Sequence, residues 1–157
     1  MTAAIKAITV RKPWSTCIAS TNAGAKRVEN RGAGTNHRGI LLIHEGKTAD
    51  VDAFADRRVA ELLTPHRDAP EQPGAGAVIA VAALTDVHYA AGGDCCAPWG
   101  EIWHHGPNRV GRAVHLVLAD VRPLDRPVPC RGALGLWAPP EDVVARVLWQ
   151  VPAAVTR

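Results

Sequence analysis

Lys26, Glu29 and Arg31 follow Gly24 in a G-x-K-x-x-E-x-R arrangement, which sets an ammonium, a carboxylate and a guanidinium close together in the chain. The two cations suit phosphate oxygens, the lysine as a compact charge and the arginine as a planar fork of donors. Glu29 would orient them or accept from a base edge. Further candidates surround this group: Arg11 and Lys12 just before Trp14, then Arg38, His44 and Lys47. An indole beside basic residues can stack a base while its phosphate is held, each stack contributing on the order of 1–3 kcal/mol. An aromatic at helical spacing also packs inward, so Trp14 has a core reading beside the binding one. His44 would add a titratable group, or would be a histidine satisfied within the structure. In an enzyme, Lys26 would serve as base or nucleophile and Glu29 would handle protons. His44 or His104 would be the acid or base of a nuclease, with nothing in the spacing to choose between them.

Cys95, Cys96, His104 and His105 raise the question of zinc, because thiolates and imidazoles are its preferred ligands. Adjacent pairs are poor spacing for one ion, so no metal site and no cofactor is assigned. His88 and Cys130 would complete a site only if the fold brings them close.

The charge distribution points the same way as the first group. Residues 1–47 hold eight lysines and arginines against two glutamates, whereas the remainder holds ten basic against thirteen acidic residues. A polyphosphate is the expected partner of that basic half, with a solvated basic face as the alternative. Apolar runs are too short to cross a bilayer, and the N-terminus lacks a leader pattern, so a cytoplasmic protein with no membrane partner is expected. Four cysteines at these spacings do not form a disulfide framework, and reduced thiols are expected.

These residues need elements to position them. A strand is expected over 4–10 and a helix over 13–23, with Gly24 as its left-handed terminator. A buried strand over 39–44 follows, then a helix capped by Thr48 or Asp50 and running to about Leu63. Residues 64–76, rich in proline, read as a loop. Strands are expected over 77–87 and 113–121, the second with His115 among apolar neighbours. Between them lies a glycine-rich connection over 90–111, long enough to be a lid, which Trp99 and Trp103 would anchor. A short strand over 134–137 and a terminal helix over about 139–149, with Pro140 near its start, complete a single domain spanning 1–157.

The Gly24, Lys26, Glu29, Arg31 signature resembles that of the ASCH family, named for activating signal cointegrator homology. The run from Arg11 through Lys12, Pro13, Trp14 and Ser15 is similar to the strand-to-helix entry of the cointegrator-type domains. His37, Arg38 and Gly39, leading into residues 40–44, resemble their next strand. The resemblance covers about residues 5–47. It implies an α+β fold, a small PUA-like β-barrel with flanking helices, and a cleft where the signature gathers. Function follows less narrowly: some members bind RNA or DNA, one bacterial group hydrolyses acetylated cytidine, and ribonuclease activity is attributed to another. The acetylcytidine group carries threonine where this chain has Glu29, so its constellation is incomplete here. The expected function is binding of nucleic acid or a nucleotide in a basic cleft, with a hydrolase of modified nucleosides or RNA as the alternative. A structural alternative for the signature pairs Glu29 with Arg31 to hold the barrel closed and leaves Lys26 solvated.

Overall fold

In the computed structural model, which describes residues 4–63, 74–106 and 109–152, strand β1 (Lys6–Lys12) buries Ile8 and Val10 towards one side and Ala7 towards the other. Strand β3 (Gly39–Ala49) repeats the division, with Leu41 and Ile43 on the first side and Leu42 on the second. Successive residues of a strand point to opposite faces, so a continuous apolar run marks a sheet covered on both. Strands β2 (Val28–Arg31), β4 (Ala77–Tyr89), β7 (Val114–Pro129) and β8 (Leu136–Trp137) join them in the order β2-β7-β4-β3-β1-β8. Only β1 and β3 run parallel. Register shifts along β4 and β7 mark bulges, which bend strands. The sheet curls into a half-barrel.

The inner core gathers Ile8, Val10, Ile18, Leu41, Ile43, Leu84, Leu116 and Leu118. Helix α1 (Trp14–Ala19) contributes Ile18 to it. On the other face, α3 (Glu141–Gln150) lays Val143 and Val147 over Leu42, Val78 and Val128. Helix α2 (Arg57–Leu63) packs Val59, Leu62 and Leu63 with Cys17, Val28 and Trp99. The expected α+β class and barrel with flanking helices are therefore present. Among the described residues no helix is long and apolar enough to cross a membrane.

Several boundaries differ from expectation. Helix α1 ends at Ala19, and Gly24, at φ 81°, turns the chain further on instead of capping the helix. The terminal carbonyls are claimed from elsewhere: Cys17 O accepts the Lys26 N–H, while the Arg27 guanidinium donates to Ile18 O and Ser20 O. The helix expected over 48–63 splits into a 3-10 turn (Val51–Ala55) and α2. Thr48 lies inside β3, and the cap is Asp56, whose Oδ1 accepts the Arg58 N–H at 2.8 Å. Strand β7 runs eight residues beyond the expected end despite Pro123, Pro127 and Pro129. Strand β2 pairs only with its first four residues, so the proline-bearing half has one neighbour and tolerates missing N–H donors.

The connection over 90–111 holds a hairpin, β5 (Trp103–Gly106) and β6 (Arg109–Arg112). Trp99 anchors it as expected, 4% exposed and donating from Nε1 to Gly24 O, but Trp103 points outward. Of the loop expected over 64–76, residues 64–73 lie outside the described residues.

Candidate nucleic-acid interface

The backbone hydrogen bond from Lys26 to Cys17 holds the signature lysine beneath the sheet, where it is 3% exposed. Its Nζ donates to Val28 O at 2.6 Å and to Glu29 Oε2 at 2.7 Å. Arg31 Nε stands 3.1 Å from Glu29 Oε1, off the hydrogen-bond line, so this contact is ionic and the buried Nε–H is otherwise unpartnered. Arg31 Nη2 donates to Thr9 O at 2.7 Å. That bond spans from β2 at one edge of the curled sheet to β1 near the other. The signature thus ties the half-barrel together, and Lys26 is buried where the structural alternative had it solvated. Burial pushes the Glu29 carboxyl up, but the charges of Lys26 and Arg31, with the hydrogen bond from Lys26, outweigh it and hold it below the usual carboxylate range.

Above this triad opens a cleft of about 1360 Å³. Arg11 enters from the end of β1, Arg31 from β2, Lys47 from β3, and Arg131 from the irregular segment after β7. Arg11 leans 3.6 Å from Asp50 yet keeps 59% of its side chain exposed. Lys47 and Arg131 are exposed. Glu29 is already countered by Lys26, so the cleft carries an excess of positive charge.

Trp14 lines one wall, half-buried, with Nε1 donating to Asp50 Oδ2 and its ring edge-on to Trp99 at 6.5 Å. It serves core and wall together. His44 also lines the cleft but is 2% exposed and fully engaged. Its Nε2 donates to Cys130 O at 2.9 Å, which leaves Nδ1 to accept from Thr9 Oγ1 at 3.2 Å, while Trp137 donates to the same hydroxyl. Gly132 permits this packing, because a Cβ there would meet Thr9 Oγ1 and the His44 ring.

Two predicted residues stand apart from the cleft. Lys12 is buried. Arg38 sits exposed at the opposite end of β3, donating to Thr35 O and His37 O, with its charge acting on Asp86. Lys26 lies under the cleft floor rather than on it. Conversely, Arg131 and Asn30 line the cleft and were not anticipated. Arg131 escaped notice because it lies in the half of the chain whose net charge is negative. Asn30 is a brace: Nδ2 donates to Trp99 O and Oδ1 accepts from Glu101 N, both at 2.9 Å.

The cysteine and histidine grouping also differs from the one considered. His104 lines the cleft beside Gly32, His105 is exposed on the hairpin, and Cys130 belongs to the His44 surroundings. Among the described residues, the potential ligand atoms that converge are those of His88, Cys95, Cys96 and His115, all within 4.8 Å of one another. None of the four cysteines is in a disulfide.

No family model matches the chain, and no curated protein does. Solved structures do. The chain is similar to the ASCH protein of Zymomonas mobilis, with a TM-score of 0.54 and 13% identity over 92% of this chain and 94% of that one. A tyrosine-to-phenylalanine variant of that protein gives a TM-score of 0.55 and 13% identity, over 92% of this chain and 96% of that one. The fold is that of an ASCH domain, as the signature implied.

Proposed function

We propose that the cleft binds nucleic acid, or a nucleotide as its minimal unit, chiefly through phosphate. The observation that carries this reading is the meeting of Arg11, Arg31, Lys47 and Arg131 around one cleft from four separate stretches of chain. A like-charged rim over a neutralised carboxylate raises the local concentration of a polyanion and releases counterions when phosphates bind. The polar groups of the floor are largely engaged within the protein: Glu29 by Lys26, Asn30 by Trp99, His44 by Thr9 and Cys130. Base readout is therefore secondary here, and Trp14 supplies an apolar wall for a base. A hydrolytic reading through Lys26 and Glu29 would need the ammonium at the cleft surface, and it is buried with two acceptors.

Equilibrium binding of fluorescent single-stranded RNA, single-stranded DNA and duplex DNA tests this. Wild type is expected to bind at least one polymer at low salt, with several-fold weakening in Arg11→Ala, Lys47→Ala and Arg131→Ala and no change in Arg38→Ala. Absence of binding to every polymer, or equal loss in Arg38→Ala, would overturn it.

A further inference from the structure

We propose that His88, Cys95, Cys96 and His115 form a closed, tetrahedral zinc site that pins the 91–101 connection onto strands β4 and β7. The sheet itself prepares half of the site. His88 and His115 are directly opposed across the β4–β7 ladder, and their rings meet edge to face at 5.3 Å. The connection that leaves β4 then folds back and sets two thiols over the pair. Cys95 Sγ lies 3.4 Å from His88 Nε2 and 3.4 Å from His115 Nδ1, and Cys96 Sγ lies 3.6 Å from His88 Nε2. Zinc bonds of about 2.3 Å to sulfur and about 2.0–2.1 Å to nitrogen give a tetrahedron with sulfur-to-nitrogen edges of roughly 3.5 Å. These three sulfur-to-nitrogen separations match those edges.

The outer contacts support the same assignment. His88 Nδ1 faces Asp86 Oδ2 at 2.7 Å, and His115 Nε2 faces Glu101 O at 2.8 Å. Both partners are acceptors, so each facing nitrogen carries the ring proton and the other nitrogen offers a lone pair to the thiols. Carboxylate or carbonyl behind a ligating histidine is the usual second layer of a zinc site. Adjacent cysteines seldom converge on one ion. Here Cys96 takes a left-handed backbone, φ 57°, uncommon for a residue with a side chain, and both sulfurs come within reach of the same imidazole. Gly100 clears the space, since a Cβ there would strike Cys95 O and the His115 ring. Four protein ligands leave no open position, so the metal's role is structural. Through Trp99 and Glu101, which clasp Asn30, the pinned connection buttresses the cleft wall.

Metal analysis of the full chain, purified under reducing conditions without chelator, should find one zinc per chain. Cobalt(II) added to the stripped protein should give tetrahedral d–d absorption together with thiolate charge transfer. The Cys95→Ser, Cys96→Ser double variant should lose both signals and Cys130→Ser should keep them. Asp86→Asn preserves all four ligands, so it guards against misreading a folding failure, and it should weaken zinc by about 10-fold. A chain without metal whose cobalt complex shows no thiolate charge transfer, or metal retained in the double variant, overturns the site.

Discussion

Three residues of the signature illustrate how a motif can be legible while its geometry is not. The spacing of Lys26, Glu29 and Arg31 announces a cluster, yet nothing in it says that the lysine is buried and that the arginine reaches across to β1. Removing Lys26 takes from the buried Glu29 its only hydrogen-bonded cation among the described residues and leaves the ionic contact of Arg31 to compensate it alone. Lys26→Ala is accordingly expected to destabilise the protein by about 3 kcal/mol, read from denaturant midpoints, with any loss of binding following from loss of fold. Unchanged stability with lost binding would place Lys26 in contact with ligand instead. The same triad predicts acid sensitivity. Glu29 has a lowered folded value, so its contribution is complete above the ordinary carboxylate range, about 4.3, and disappears as pH falls through the lower folded value. Wild type should therefore show a steeper acid loss of stability than Glu29→Gln.

At the scale of elements, the apolar runs located β1, β3 and β4 because both faces of the sheet are covered, whereas β7 was cut short at its prolines. Proline opposes a central strand but not one whose other side is unpaired, and pairing partners are not written in a local sequence. The His88 and His115 pairing was hidden for the same reason, since it depends on the β4–β7 register. Of the two tryptophans expected to anchor the connection, Trp99 does so and Trp103 does not. Trp99 is buried against Cys17, Val28 and α2, and holds Gly24 by a hydrogen bond. Trp99→Ala is expected to cost about 3 kcal/mol or more and to speed proteolysis within the 91–101 connection. A change below about 0.5 kcal/mol, the range of ordinary surface substitutions, would show that the connection is not anchored there.

For the whole molecule, charge asymmetry along the chain marks the first 47 residues as the basic half, while the expectation of a cleft rests on the family resemblance. Folding adds Arg131 from the far end and sends Arg38 to the opposite end of β3. Cleft membership is a property of the curled sheet, not of sequence neighbourhood. The most direct test of the cleft is the slope of log binding constant against log salt for a single-stranded oligonucleotide. Each lost phosphate contact should flatten that slope by about 0.7. The Lys47→Ala, Arg131→Ala double variant should thus fall by about 1.4 while Arg38→Ala retains the wild-type slope. Equal slopes in wild type and double variant would contradict a phosphate-binding cleft at this place.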